Sequence, residues 1–232
     1  MPEIIYQKGL MSILWIEKVR IMLNKGKNGL FYACDIKNID LIRFLSSSNI
    51  DLEIKCNEGN TPLHSACTNN FKEGVLFLLL HGANYEEPNS AGQKPGEGNM
   101  EMKMFLNKLV PEAQAFKALN LTQRKKLQQI FEDIDFDNAH NIDLEKSMKF
   151  DKYIDSSVEV RLAEKDAKDF IKSCAICNGK TVNLEEWIFA FSKLFALDIA
   201  AYEKFIEDYD NKYKEIGSVK EFAIKQNDNT TT

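Results

Sequence analysis

The stretch "EGNTPLHSACTNNFKEGVLFLLLHGANYEE", residues 58–87, decides the fold of the first half of this chain. Its tetrad Thr61-Pro62-Leu63-His64 predicts the start of a helix, because threonine is a good N-cap and proline in the first turn loses no hydrogen bond. Apolar residues at helical spacing between Val75 and Leu79 predict a second helix, which Gly82 ends as a left-handed cap. The stretch therefore encodes two helices in succession.

This pattern recurs at a fixed interval along the first half. Gly26, Gly59 and Gly92 lie 33 residues apart, and Ala33-Cys34 falls on Ala66-Cys67 when the blocks are aligned. A period of this length predicts stacked repeats. The outer blocks depart from the central pattern, as expected of end repeats that have one neighbour and face water on the other side.

The central block closely resembles an ankyrin repeat, through its Thr61-Pro62-Leu63-His64 tetrad, Ala66 and Gly82. The resemblance implies an all-α, short solenoid over residues 1–110, with a capping helix over 10–23 and repeats at about 24–56, 57–89 and a truncated 90–110. Ankyrin repeats bind other proteins through loop tips and inner helices and carry no chemistry of their own. By position, the resemblance implies protein-binding residues at Lys25, Lys27, Tyr32, Asp35, Glu58, Asn60, Ser65, Thr68, Asn69 and Gln93.

The second half is helical without the 33-residue period. The stretches "DFDNAHNIDLEK" (135–146) and "AICNGKTVNLEE" (175–186) each lie between two predicted helices and carry an aliphatic residue at the eighth position. This arrangement resembles an EF-hand pair and implies an EF-hand-like helical domain over 111–217. Ile142 and Val182 are expected to pair as a short antiparallel bridge.

The calcium chemistry of the two loops is incomplete. The candidate ligands of the first loop are Asp135, Asp137, Asp143 and the carbonyl of Asn141, but Lys146 stands at the twelfth position, where a glutamate normally supplies two oxygens. The second loop has Glu186 at that position and no carboxylate on its entering side. The ligand count therefore predicts no cofactor, with calcium binding left as the alternative.

The stretch 187–209 is unusually rich in aromatic residues and is a second candidate surface for a partner protein. Within it begins a predicted helix, 198–216, with one apolar stripe. This helix either lies in a groove of its own chain or docks on another protein, and the pattern does not distinguish the two. The polar end of the chain predicts a flexible tail over 218–232.

Composition excludes several classes of partner. The net charge is −5, all of the excess acid lies after residue 110, and no basic stripe indicates nucleic acid. No segment has the length and flanks of a signal peptide or membrane span. The five cysteines follow no disulfide framework, which favours a reducing compartment, by default the cytoplasm.

These observations predict a non-enzymatic adaptor or scaffold, since no arrangement of serine, cysteine or histidine indicates catalysis. The combination of repeats and loops resembles the ankyrin repeat and EF-hand domain proteins, some of which are ciliary and flagellar components. That resemblance implies a scaffold of a cilium, an axoneme or the cytoskeleton. The alternatives are a calcium-responsive switch and an ankyrin-type pathogen effector.

Overall fold

The computed structural model describes residues 26–46, 51–109, 119–155 and 160–228. The predicted capping helix over 10–23 and the candidate residue Lys25 lie outside these ranges. Every regular element in the described residues is a helix, accompanied by a single isolated β-bridge, so the all-α prediction is confirmed. The chain divides into two compact units, Met1–Pro111 and Glu112–Thr232.

Helices of the first unit follow the repeat period. Two helical pairs are followed by a block with one helix; the helices are α1 (Gly29–Asp35), α2 (Ile39–Ser46), α3 (Pro62–Thr68), α4 (Lys72–Leu80) and α5 (Met100–Leu109). The turns within the two pairs are the same, because Lys37 and Asn70, 33 residues apart, have positive φ values of 53° and 51°. Backbone conformation thus repeats even where the side chain does not.

Gly26 and Gly59, two of the three glycines of the period, lie where the tip of one block meets the next. Gly59 has a φ of 74°, and a Cβ added there would lie 2.5 Å from the Ser90 hydroxyl oxygen. The N–H of Ser90 in turn donates to the carbonyl of Glu58 at 3.1 Å. Glycine is therefore required both by the left-handed conformation and by the close approach of the neighbouring block.

His64 also joins two blocks. Its Nδ1 accepts the Thr61 N–H at 3.1 Å, which leaves Nε2 protonated and 3.0 Å from the carbonyl oxygen of Gln93. Burial lowers the pKa of His64, so the ring is neutral at physiological pH. His64 thus donates a hydrogen bond to the backbone of the next block.

The described residues of the second unit form two helix–loop–helix pairs and two further helices. These are α6 (Leu121–Ile134), α7 (Leu144–Ile154), α8 (Val160–Cys174), α9 (Leu184–Leu197), α10 (Ile199–Ile216) and α11 (Val219–Asp228). Ile142 and Val182 exchange both backbone hydrogen bonds, at 2.8 and 2.9 Å, in an antiparallel bridge. The two loops are thus joined back to back as the sequence pattern predicted.

Helix α10 packs on its own chain, which answers the question that the sequence left open. Tyr202 and Tyr209 of this helix are 4% and 1% exposed, and the hydroxyl of Tyr209 donates to Asp133 of α6 at 2.9 Å. The ring of Phe205 lies 4.5 Å from that of Phe191 in α9. Most aromatic residues of 187–209 therefore contribute to the core.

The prediction of a flexible tail over 218–232 is wrong for its first part, which forms α11. Val219 and Ala223 are 0% and 2% exposed, and the Tyr153 ring packs edge-on against Phe222. The Val219 N–H donates to Asp133 at 2.9 Å. Three apolar residues at helical spacing were too few to stand out beside the polar end of the chain, but packing against α7 makes them sufficient.

Candidate functional site

A polar network connects the inner helices of the first unit. At its centre is Asp35 of α1, which accepts hydrogen bonds from Lys27 at 2.9 Å, from the Ser65 hydroxyl at 2.5 Å and from the Asn69 amide at 3.1 Å. Four of the predicted binding residues are therefore brought together, but they contact one another. Their mutual bonds hold the inner-helix surface in one arrangement.

The predicted loop tips are also held in place by hydrogen bonds. The amide of Asn60 donates to Glu58 at 3.1 Å, and its carbonyl oxygen accepts from the amide of Asn89 at 2.9 Å. Asn89 Oδ1 in turn accepts the N–H of Gln93 at 3.0 Å. Sequence reasoning did not nominate Asn89, although its place one residue before Ser-Ala-Gly is typical of an Asx turn.

A groove of about 470 Å³ lies between these tips and the inner helices of the same unit. The predicted residues Asn60, Thr68 and Gln93 line it, while Lys27, Tyr32, Asp35, Glu58, Ser65 and Asn69 do not. The complete lining is Asn60, His64, Thr68, Asn89, Gln93, Lys94, Gly96, Gly98, Asn99 and Met100. The groove is therefore mainly polar, with an apolar side chain at the start of α5.

Asn99 and Met100 are groove residues that sequence reasoning missed. Asn99 Oδ1 accepts the Met102 N–H at 3.1 Å as a helix cap, and the Asn99 amide donates to the Cys67 carbonyl at 3.2 Å. Met100 is 77% exposed, an unusual state for a large apolar side chain. The helix cap formed by Asn99 could have been predicted from the sequence, because an asparagine there precedes a run of apolar residues. The exposure of Met100 could not, because it depends on the conformation of the preceding turn.

In the second unit, the first loop encloses an ammonium group. Lys146 Nζ donates to Asp135 at 2.6 Å and to the Asn141 carbonyl at 2.8 Å, and it forms an ion pair with Asp137. The side chains of Lys146 and Asp135 are 2% and 6% exposed, whereas that of Asp137 is 52% exposed. Burial opposes the charge of Lys146, but the two carboxylates outweigh it and raise the pKa of the ammonium group.

The second loop encloses a carboxylate. Glu186 is fully buried, and its two oxygens accept the backbone N–H groups of Cys177 at 2.5 Å and Asn183 at 2.9 Å. Asn183 caps α9 by accepting the Glu186 N–H, in the same way that Asp143 caps α7 by accepting the Lys146 N–H. The predicted ligands Asp143 and Glu186 therefore serve the backbone of their own loops.

The residues predicted as metal ligands do not come together as one donor set. Asp135, Asp137 and Asn141 surround Lys146, Asp143 caps a helix, and Glu186 belongs to the other loop. In the described ranges no group of three or more histidine, cysteine, aspartate and glutamate side chains is placed to hold a metal ion. The oxygen-bearing groups of Asp135, Asp137 and Asn141 are instead bound to the Lys146 ammonium group.

The buried cysteines are poor nucleophiles. Burial raises the pKa of the Cys34, Cys67 and Cys174 thiols to about 12 in each case, so they are protonated at physiological pH. All five cysteines lie in the described ranges, and none of them forms a disulfide. These thiols act as small apolar side chains in the two cores.

None of the helices in the described part of the chain is long and apolar enough to span a membrane.

Comparison with known proteins places the recognisable similarity in the first unit. Residues 5–89 match the family model for ankyrin repeats in three copies, a range that begins before the first predicted repeat. "Ankyrin repeat and SOCS box protein 11" of Danio rerio is 31% identical over 88 residues, covering 33% of this chain and 29% of that protein. The chain thus spans less than a third of this relative. The N-terminal region of the chain contains ankyrin repeats, a module whose general role is protein–protein interaction.

Proposed function

We propose that the chain is a protein-binding adaptor whose partner lies in the groove of the first unit. The observation that carries this proposal is the fixed geometry of the groove, since the tips are locked by the Asn60–Asn89–Gln93 bonds before any partner arrives. A prearranged surface loses little side-chain entropy on binding. Ankyrin repeats generally bind proteins, which is consistent with a groove in this position.

The lining indicates the kind of segment that would bind. Thr68 and Gln93 expose hydroxyl and amide groups that can bond to a partner's backbone, and Met100 offers a flexible apolar contact. Lys94 forms an ion pair with Glu86, so the groove has little unbalanced charge. The partner we expect is an uncharged segment with one apolar side chain positioned to pack on Met100.

Site-specific photocrosslinking tests this proposal in cells. A photoreactive amino acid at Thr68 or Gln93 of the full chain should give the same discrete adduct, because both residues line the groove. The matched control is the same amino acid at Lys108, which is exposed on α5 and does not line the groove. An adduct of equal yield from position 108, or none from positions 68 and 93, would contradict the proposal.

We propose further that the second unit is an EF-hand-like structural domain and that the adaptor belongs to a cilium, an axoneme or another cytoskeletal assembly in the cytoplasm. This setting follows from the resemblance to ankyrin repeat and EF-hand domain proteins. Imaging of the tagged full chain together with an axonemal marker tests it. A diffuse signal with no enrichment on the cytoskeleton would count against this setting without affecting the groove.

A further inference from the structure

We propose that the Lys146 ammonium group replaces the metal ion of an EF-hand loop, so that loop 135–146 is closed by an internal cation and does not respond to calcium. This role goes beyond that of an adaptor and does not depend on the groove of the first unit. The loop lies between two helices as in an EF-hand, but its carboxylates bind a lysine ammonium group where an EF-hand loop binds calcium.

The oxygen atoms around Lys146 are those that a calcium loop would offer. Asp135, Asp137 and Asn141 occupy the first, third and seventh positions, and the seventh contributes its backbone carbonyl. A lysine ammonium has three N–H groups, and Lys146 directs them to these three oxygen-bearing groups. The residue that supplies the cation, Lys146, thus occupies the twelfth position, where an EF-hand loop normally has its closing ligand.

The backbone of this loop has also kept the shape of a metal loop. His140, at the sixth position, has a φ of 58°, the left-handed conformation for which EF-hand loops use glycine. The His140 N–H donates to the second oxygen of Asp135 at 2.8 Å, so this buried carboxylate has bonds on both oxygens. The loop therefore has the turn of a metal loop, and within it the Lys146 ammonium group and the His140 N–H bind the Asp135 carboxylate.

Calcium cannot join this arrangement while Lys146 remains in place. An ion bound by the same oxygens would have to occupy the place of the ammonium nitrogen or lie directly beside it, where like charges repel strongly in a partly buried site. Moving Lys146 out of the loop would expose its buried aliphatic chain to water and would break the ion pair of its ammonium group with Asp135. The closing glutamate that would compensate for this loss is missing from this loop.

The second loop offers no alternative calcium site. Glu186 already accepts two backbone N–H groups, and the residues at the first and third positions are Ala175 and Cys177. Because the Ile142–Val182 bridge joins the loops, each internally closed loop supports the other. The second unit consequently holds one shape at any calcium concentration, as a structural element rather than a sensor would.

Calcium titration of the full-length wild-type chain is the first test. We expect no heat in calorimetry up to millimolar calcium and the same melting temperature in calcium and in chelator. Lys146→Met should lower the melting temperature in chelator by about 5 °C or more, because two carboxylates lose their counter-ion. The matched control Lys149→Met removes a neighbouring lysine that pairs with exposed Glu145, and it should change little. Calcium-dependent heat in the wild type, or no effect of Lys146→Met, would overturn the inference.

A chemical measurement on the wild type keeps the test valid if Lys146→Met fails to fold. Acetic anhydride modifies accessible amines, and mass spectrometry reads the extent of acetylation at each lysine. Lys146 should react at least tenfold more slowly than Lys149, whose side chain is 19% exposed, and calcium should not change that ratio. Equal labelling of the two lysines, or faster labelling of Lys146 in calcium, would show that the ammonium group does not close the loop.

Discussion

Loops 135–146 and 175–186 have the same frame and opposite charges at their closing position. Each lies between two helices, contributes one residue to the bridge and caps its exiting helix from the ninth position with Asp143 or Asn183. The buried group is a cation in the first loop and a carboxylate in the second. A helix–loop–helix shape can therefore be maintained by either charge, provided that the loop presents carboxylates to a lysine or backbone N–H groups to a glutamate.

We expect the charge at the closing position to decide whether the first loop can bind calcium, because its entering side already carries Asp135 and Asp137. We expect Lys146→Glu combined with Ala139→Asp and His140→Gly to lower the free energy of unfolding in chelator by about 4 kcal/mol, since buried carboxylates then face one another without a cation. Calcium should recover about 3 kcal/mol at a concentration a hundred times its dissociation constant. Chemical denaturation with and without calcium measures both effects.

The reverse charge change at the closing position of the second loop is the control for that triple variant. Glu186→Lys alone should destabilise the unit in chelator and gain nothing from calcium, because Ala175 and Cys177 supply no carboxylate. A calcium response in this variant would show that the assignment of ligand positions in one of the loops is wrong.

Removing the carboxylate tests how much the second loop depends on it. Glu186→Ala leaves the N–H groups of Cys177 and Asn183 buried without an acceptor, and we expect a loss of about 2–3 kcal/mol. Glu186→Gln keeps one acceptor oxygen and should lose about 1 kcal/mol. Urea unfolding followed by circular dichroism compares the two; equal losses would indicate that the charge, rather than the hydrogen bonds, closes this loop.

The fold was largely predictable from periodicity. The 33-residue interval predicted the positions of the helical pairs 29–46 and 62–80. The aliphatic residues at the eighth position of each loop predicted the Ile142–Val182 bridge. Helix α11 was not predictable, because its stability depends on contacts with Tyr153 and Asp133, which are distant in sequence. Sequence patterns predict helices that have a clear apolar periodicity of their own. They do not predict short helices that are stabilised mainly by contacts with distant residues.

The sequence predicted some of the residues that lie at the candidate sites, but it did not predict the contacts that these residues make. The sequence predicted Asp135, Asp137 and Asn141 as candidate ligands and Lys146 as an obstacle to calcium. In the structure the Lys146 side chain points into the loop, and its ammonium group binds the three oxygen-bearing groups. This arrangement depends on the rotamer and burial of the lysine, which cannot be derived from the spacing of residues in the sequence. In the first unit, likewise, two of the predicted inner-helix residues, Ser65 and Asn69, bond to Asp35 and do not line the groove.

A double-mutant cycle measures whether the loops act as one element. Lys146→Met and Glu186→Gln alter groups at the two closing positions, and the Ile142–Val182 bridge is the connection between the loops. If the bridge transmits the loss of one closing group to the other loop, the two losses should differ from additivity by about 0.5–1 kcal/mol. Additivity within error in urea unfolding would mean that each loop is closed independently of the other.

The smallest expected effect concerns Asp137, the exposed member of the first loop's ion cluster. The hydrogen bond from Lys146 lowers the pKa of Asp137, with a further contribution from the Ala139 N–H. A lowered pKa in the folded state means that the carboxylate stabilises the fold above its unfolded pKa and that this contribution is lost as pH falls through the folded value. Asp137→Asn should therefore cost less than about 1 kcal/mol at neutral pH, since the side chain is half exposed, and nothing in strong acid.

The comparison of wild type with Asp137→Asn by urea unfolding at pH values from neutral to strongly acidic measures this dependence. Asp169→Asn, at an exposed position of α8, is the matched control and should show no such loss. In a Lys146→Met background most of the cost of Asp137→Asn should be lost, because the group that contributes most to the lowered pKa of this carboxyl is gone. A cost that persists in that background would assign the low pKa to the Ala139 N–H, and the cation would then be held chiefly by Asp135 and Asn141.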